Sequence, residues 1–380
     1  MNIAILSPME VLPIRGGAQT RIFNLAKTMS DMGENVYLVH NSKSKDVTRL
    51  GNLNILSFPL APLTLPGCSY VFHQLVFAKN FGNIRGKIDV VQCEFPSSFP
   101  WAYLAKRLHG NPPIVLDEHG VEIKFAREVY FDRPGLLVRA RTLLTEGAAV
   151  NLSNHIFTCS TVDASQLSRI YKLPESKITE IPNAVGKEFF EDVRRHEFEK
   201  PTILFVGGFK HPPNYYGAKA VLDTILPYVT EREGDVQFVF IGEEPPSWLL
   251  GTDHVKVLGR VPDVRPFIKG ADICISPIFQ GSGTRLKILE YMALGKPVIS
   301  TSKGAEGIEV TNNFDIVIED DLERFSEHVL SLLRDKQKAE LLGVNARRLI
   351  EQNYTWQRVC ERAIDVYRKL FQTRRHSNLL

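Results

Sequence analysis

Apolar residues in this chain follow two rhythms. Short unbroken runs such as Ile3-Ala-Ile-Leu6 and Ile203-Leu-Phe-Val206 alternate with stretches such as Ile22, Leu25, Ala26 and Met29, where the spacing is three or four. An unbroken run bounded by turn residues suits a parallel strand buried on both faces, and three-or-four spacing suits a helix with one buried stripe. Strands are therefore predicted at 2–7, 35–40, 54–58, 88–92, 114–118, 155–159 and 177–181, with helices between them. After Pro201 the pattern begins again, with strands at 202–206, 237–241, 255–258, 273–276 and 298–301 and helical stretches at 322–333 and 336–351. The charged stretch 184–200 lacks strong periodicity and reads as a linker, and Val359, Ala363, Tyr367, Leu370 and Phe371 stripe one last helix. A chain of 380 residues exceeds what one core usually supports. The expected architecture is α/β: two Rossmann-like doubly wound domains, 1–183 and 201–355, facing each other across a cleft, with 356–380 crossing back to the first.

The chain is organised around Gly281-Ser-Gly-Thr-Arg-Leu-Lys-Ile-Leu-Glu290 and the residues up to Pro297. Gly281 and Gly283 form a turn whose backbone can approach a ligand, leading into a helix expected over 284–294, where Gly295 caps and Pro297 forbids continuation. Arg285 and Lys287 then occupy the first turn, where cations oppose the helix dipole and an anion would relieve the conflict. Glu290 stands four residues from both Leu286 and Leu294, within the apolar stripe, where a carboxylate needs a hydrogen-bonding partner such as ligand hydroxyls.

In the first half, Arg15-Gly16-Gly17-Ala-Gln-Thr-Arg21 joins the first strand to the first helix, a loop at a strand's carboxyl end where open α/β sheets bind ligands. Gly16-Gly17 does not satisfy the dinucleotide pattern, and the next strand ends in His40-Asn41-Ser42 without an acid for a ribose, so an NAD site is disfavoured. The strand 114–118 delivers Asp117-Glu-His119-Gly120, which places the His119 imidazole where it can reach a substrate hydroxyl. Phe72, Leu75, Val76 and Lys79 hint at an amphipathic helix, and Lys124, Arg127, Arg133, Arg139 and Arg141 give the next helical stretch a basic character suited to acidic lipid or phosphate.

Composition narrows the partners. A net charge of +3 without a basic tract interleaved with aromatics excludes a nucleic-acid binder. The five cysteines are widely spaced without a Cys-x-x-Cys pair, as for buried thiols in a reducing compartment. Neither a signal peptide nor an apolar stretch long enough to span a bilayer is read, so a cytoplasmic protein is expected, peripheral to the inner face of a membrane. No Asp-x-Asp occurs, and no His, Cys and Asp cluster has metal-ligand spacing along the chain.

Taken in order, Gly16-Gly17-Ala-Gln-Thr-Arg21, Asp117-Glu-His119-Gly-Val-Glu122, Ile181-Pro-Asn183, Val206-Gly-Gly208 with Pro213-Asn214, Leu258-Gly-Arg-Val-Pro-Asp263, the run from Gly281 to Ile299, and Gly304-Ala-Glu-Gly307 resemble the motifs of family-4 glycosyltransferases, retaining enzymes of the GT-B fold. The resemblance implies transfer of a sugar from a nucleotide-sugar donor, bound mainly by the second domain, to a saccharide or lipid-linked acceptor held by the first, in surface polysaccharide or glycolipid assembly. It implies that Glu290 binds the donor ribose, Val261 and Pro262 edge the base, His119 lies near the reacting sugar, and Gly16 and Gly17 lie beside the donor phosphates.

Two departures stand out. Many members have an acid where this chain has Ser282, and an Arg and a Lys where it has Gly208-Phe-Lys210-His. Arg285, with Lys210 or Lys287, is therefore expected to supply positive charge to the diphosphate, alongside the turn residues Ser282, Gly283 and Thr284. Fixed cations and backbone N–H groups stabilise a departing diphosphate without a metal or other cofactor. The alternatives are a nucleotide-sugar epimerase of the same fold and a non-catalytic sugar-nucleotide or membrane-binding module.

Overall fold

The computed structural model describes residues 1–42, 45–58, 79–82, 84, 86–124 and 136–377. They form two units, Met1–Pro182 with Trp356–Leu380, and Asn183–Thr355.

The first unit carries an eight-stranded sheet in the order β3-β4-β2-β1-β5-β6-β7-β8. The strands are β1 (Asn2–Ser7), β2 (Asn35–Asn41), β3 (Asp46–Leu50), β4 (Leu53–Phe58), β5 (Val90–Glu94), β6 (Ile114–Glu118), β7 (His155–Thr158) and β8 (Ile178–Glu180). All pair in parallel except β3, which runs antiparallel to β4. In the central strands β5 and β6 every residue is buried, the apolar Val90, Val91 and Ile114–Leu116 together with the polar Gln92, Glu94, Asp117 and Glu118. Helices α1 (Gly17–Asp31), α2 (Phe99–Leu108), α3 (Leu136–Leu152) and α4 (Thr161–Tyr171) alternate with the strands. Strand β3 has no counterpart in the sequence reading. All five of its residues are exposed, so it has no buried face to create an apolar signal.

The second unit has a six-stranded parallel sheet, β11-β10-β9-β12-β13-β14. Its strands are β9 (Thr202–Val206), β10 (Gln237–Ile241), β11 (Val255–Gly259), β12 (Ile273–Ser276), β13 (Val298–Ser300) and β14 (Val317–Ile318). Its helices are α5 (Pro212–Ala220), α6 (Leu226–Arg232), α7 (Arg265–Gly270), α8 (Leu286–Ala293), α9 (Leu322–Arg334) and α10 (Lys336–Asn353). At the ends of β9 and β10 the backbones nearly touch: a Cβ on Gly242 would stand 2.0 Å from the Gly207 carbonyl oxygen, so only glycine fits there.

The stretch 184–200 is not a free linker. Val185 pairs with Thr355 and donates its N–H to the Tyr354 carbonyl at 2.9 Å, and Phe189, Phe190, Val193 and Phe198 pack on the second unit's core. Its backbone is irregular, so buried residues recur at no fixed interval and no periodic signal arises. The last helix, α11 (Trp356–Ser377), belongs to the first unit and buries Val359, Cys360, Ala363, Ile364 and Tyr367. The Cys360 thiol donates to the Leu25 carbonyl of α1 at 3.7 Å, and the Tyr367 ring lies 5.6 Å from that of Phe157 in β7.

Cys93, Cys159, Cys274 and Cys360 are buried free thiols. Among the described residues no helix is long and apolar enough to cross a membrane. Cys68, the 72–76 part of the expected amphipathic helix, Arg127 and Arg133 lie outside the described residues, as do the side chains of Arg139 and Arg141.

Candidate functional site

In the second unit, β12 leads through residues 277–285 into α8, and the turn has the predicted glycine geometry: Gly281 has φ +108° and Gly283 +75°, values that side chains rarely adopt. The helix is shorter than expected, Leu286–Ala293 rather than 284–294. Arg285 is therefore its N-cap, with φ −92° and ψ 104°, and not a first-turn residue. Its guanidinium turns back on the loop, donating to the carbonyls of Gly283 and, at 3.3 Å, Gln280. A cation anchored on carbonyls just before a helix N-terminus concentrates positive charge there without intruding into the helix. Thr284 is engaged in holding the turn, since Asn183 Nδ2 donates to its hydroxyl at 2.7 Å and to its carbonyl at 3.3 Å.

Helix α8 is locked to the sheet. Ile288, Leu289, Tyr291, Met292 and Ala293 are fully buried, and the Tyr291 hydroxyl accepts the Val206 N–H at the end of β9 at 2.7 Å. On the other side stand Lys287 and Glu290, half-buried. Burial, and then the charge of Arg285, push the Lys287 amine down to about 7, against the pull of Glu290. Burial likewise pushes the Glu290 carboxyl up to about 7, with Lys287 opposing and Glu188 reinforcing the rise. Glu290 makes no side-chain hydrogen bond with another described residue, so its predicted conflict with the apolar stripe is left open by the protein.

Lys287 brings its amine from α8 to the loop that follows β9. Its Nζ donates to Asn214 Oδ1 at 2.7 Å and lies 4.2 Å above the Phe205 ring. It also stands only 2.8 Å from where a Cβ on Gly207 would be. The absence of a side chain at Gly207 therefore makes room for an amine delivered from α8. Lys210, the other candidate, points away: it is 79% exposed and pairs with Glu244 at 2.5 Å. Gly208 is exposed, with nothing within 4 Å of where a Cβ would be, and Val261 and Pro262 follow β11, Val261 packed on the core and Pro262 exposed. Ser282 lies half-buried in the turn.

In the first unit, Gly16 and Gly17 open α1. Gly16 is exposed in extended backbone, φ −160°, and a Cβ there would meet nothing within 4 Å. Helix α1 aims Arg21 into the sheet, where Nε and Nη2 grip Asp117 at 3.0 and 2.8 Å and Nη2 also reaches the Ile181 carbonyl at 2.8 Å. Burial works against this guanidinium's charge, and the Asp117 carboxylate more than restores it. His119, just past β6, has its Nε2 2.6 Å from Glu94 Oε2 and 3.9 Å from Asp117 Oδ2. Glu94 is fully buried; burial and then Asp117 push its carboxyl up, while hydrogen bonds from His119 and Gln92 pull it back.

The next residue, Phe95, has φ 63° and ψ 152° and lays its ring 4.1 Å from the imidazole. That backbone conformation costs a side-chain-bearing residue about 1–3 kcal/mol and recurs where a site demands it. Glu94, Asp117 and His119 bring three donor atoms within 4.8 Å of one another, a cluster invisible in chain order because β5 and β6 supply it across the sheet. Both Asp117 oxygens are already held by Arg21, and both Glu94 oxygens accept from Gln92 and His119, so the group is an internally satisfied network rather than an open cation cage.

Sequence reasoning singled out His119, Arg285, Lys287 and Glu290 but missed Glu94 as a partner of His119, Asn214 as that of Lys287, and Asn183 as the clamp on Thr284. Only the Asn183 and Asn214 motifs carried a signal, as members of motif runs without an assigned role.

A model described as Glycosyltransferase Family 4 matches residues 15–189, and one described as Glycosyl transferases group 1 matches residues 200–335. Spore coat protein SA of Bacillus subtilis is 30% identical over 192 residues, 45% of this chain and 49% of that protein, so the match spans about half of that relative. Phosphatidyl-myo-inositol mannosyltransferase of Mycobacterium leprae is 25% identical over 320 residues, 80% of this chain and 79% of that protein. Among solved structures, sucrose-phosphate synthase from Thermosynechococcus elongatus superposes with a TM-score of 0.78 at 18% identity, covering 98% of this chain and 99% of that one, a likeness of fold. These relatives favour neither the epimerase nor the binding-module alternative. With two Rossmann-like units of the GT-B fold, and with the two matches together covering most of its length, the chain belongs to glycosyltransferase family 4.

Proposed function

We propose that the protein transfers a sugar from a nucleotide-sugar donor to a saccharide or lipid-linked acceptor, with retention at the anomeric carbon. The observation that carries the reading is the start of α8. Two positive-φ glycines, an anchored guanidinium at Arg285 and an amine at Lys287 surround one helix N-terminus, and Glu290 lies within a turn of Lys287 without a side-chain hydrogen-bond partner among the described residues. Such a turn suits a diphosphate, and a lone carboxylate three residues further along the same helix suits the hydroxyls of a ribose. Departure of the leaving group builds negative charge on the diphosphate, so cations fixed beforehand stabilise the transition state more than the ground state.

In this reading Gly283 and Ser282 line the phosphates, Gly208 leaves them room, and Val261 and Pro262 edge the base. Lys287 is preferred to Lys210 as the second cation, because Lys210 is exposed and paired with Glu244. The first unit takes the acceptor, with His119 beside the reacting sugar. No metal is required, since Arg285 and Lys287 supply the charge. The setting is the cytoplasm, at the inner face of a membrane, in surface polysaccharide or glycolipid assembly.

Thermal shift against UDP, GDP, UDP-glucose and GDP-mannose tests the donor site, because a ligand that binds only the folded state raises its melting temperature. At least one is expected to stabilise the wild type and to lose most of that effect in Glu290→Ala and Arg285→Ala. Equal stabilisation of all three proteins would overturn the assignment. Proton NMR of the glycosidic coupling in the product tests retention.

A further inference from the structure

The chemistry of His119 depends on which ring nitrogen faces the substrate, and that is decided by groups behind it. Nε2 meets Glu94 Oε2 at 2.6 Å, while Nδ1 has no hydrogen-bond partner among the described residues. The other Glu94 oxygen, Oε1, accepts from Gln92 Nε2 at 2.5 Å, and that same amide reaches Asp117 Oδ2 at 3.4 Å. The Gln92 amide is oriented in turn by the Tyr367 hydroxyl of α11, which donates to Gln92 Oε1. Tyr367, Gln92 and Glu94 are all fully buried, so water does not substitute for any link. Ser98 fixes the strand end, its hydroxyl donating to the Glu94 carbonyl at 2.7 Å, and the tilted Phe95 ring flanks the imidazole.

We propose that Glu94 is a positioning residue for His119: through the Tyr367–Gln92–Glu94 chain it keeps a proton on Nε2 and thereby leaves Nδ1 as the atom that meets the reacting sugar. The assignment of His119 to that sugar rests on the function proposed above; the tautomer does not. Charge balance agrees. Arg21 and Asp117 form a neutral pair behind the ring, and an ionised Glu94 is balanced when the imidazole carries both protons, the form in which Nδ1 donates. When the ring is neutral, Nε2–H still points to Glu94 and Nδ1 accepts.

Glu94→Gln has a distinctive consequence. Because Gln92 presents an N–H to the Oε1 position, the new side chain must place its carbonyl oxygen there and turn its NH2 toward His119. Nε2 then becomes an acceptor, and a neutral ring must carry its proton on Nδ1. A substitution of nearly equal size thus inverts the tautomer.

The test is a long-range 1H–15N spectrum of the full chain labelled at histidine, at pH 7.5 and without ligand, with the His119 signals assigned by difference from His119→Gln. The wild type is expected to show Nε2 protonated, alone or together with Nδ1, and Glu94→Gln to show Nδ1 protonated alone. The same His119 pattern in both proteins, or a wild-type ring protonated only on Nδ1, overturns the proposal. The wild-type spectrum decides even if the variant fails to fold.

Turnover of UDP-glucose and GDP-mannose by the two proteins separates the claims. A loss of at least about tenfold in kcat, with KM for the donor changed less than about threefold, is expected in Glu94→Gln, within the range that a positioned proton donor contributes. The predicted tautomers with His119→Ala fully active would retain Glu94 as the positioner and sink the sugar-contact role. A fully active Glu94→Gln, with His119→Ala inactive, would sink the positioning role in catalysis.

Discussion

Lys287 turns the proposed donor site into something a calorimeter can read. Its amine is pushed down to about 7 by burial and then by Arg285, so in the empty protein at pH 8 most molecules carry it uncharged. A diphosphate placed beside it favours the charged form and raises that value, so binding must draw a proton from the buffer. The sign follows from the direction of the shift. Between the free value near 7 and the higher bound value, the complex holds more protons than the free protein, and affinity falls as pH rises, by up to about tenfold per unit.

Two other groups drop out at pH 8. Glu290, pushed up to about 7, is already largely ionised there, and a terminal phosphate with its second ionisation near pH 6 is too. The assay is titration of UDP or GDP, whichever binds, in buffers of different ionisation enthalpy. The slope of observed heat against that enthalpy is expected to show proton uptake at pH 8, at most about one proton, and much less at pH 6 for this one group. Lys287→Met is expected to abolish the uptake at pH 8 and to weaken binding. A slope of zero in the wild type, or the same slope in Lys287→Met, would refute the role of this amine.

Further outcomes follow from the same geometry. Arg285→Ala is expected to lower kcat/KM by an amount equivalent to about 2–4 kcal/mol, the size of one lost preorganised charge-stabilising group, read by steady-state kinetics. Tyr291→Phe leaves the Val206 N–H without its acceptor beneath α8 and is expected to cost about 1–3 kcal/mol in urea unfolding, with thermal stabilisation by nucleotide also reduced. Chelation with EDTA is expected to leave initial rates unchanged; loss of activity restored by a divalent ion would contradict the proposal that Arg285 and Lys287 supply the charge.

Much of the fold was legible because parallel strands buried on both faces announce themselves. Ile3 to Leu6 and Ile203 to Phe205 are unbroken apolar runs for that reason. Strand β3 was not legible, being exposed along its whole length, and neither was the packing of 184–200, whose phenylalanines recur at no regular interval. At the candidate site, the glycines and Glu290 were readable because each breaks a local rule: positive φ at Gly281 and Gly283, and an acid in an apolar stripe. The start of the helix was placed two residues early, putting Arg285 inside it, because helix ends depend on cap geometry, which spacing does not encode. Glu94 was unreadable. Its partner His119 lies 25 residues away, and only the parallel pairing of β5 with β6 puts Glu94 beside Asp117 and the imidazole that follows.

A crystal structure of the protein soaked with the nucleotide that stabilises it most is the most direct measurement. Its diphosphate is expected within hydrogen-bond distance of the Arg285 guanidinium, the Lys287 amine and the backbone of 281–285, with both ribose hydroxyls on Glu290. A nucleotide bound elsewhere, with Lys287 still on Asn214 and Glu290 still without a partner, would contradict the donor site assigned to α8.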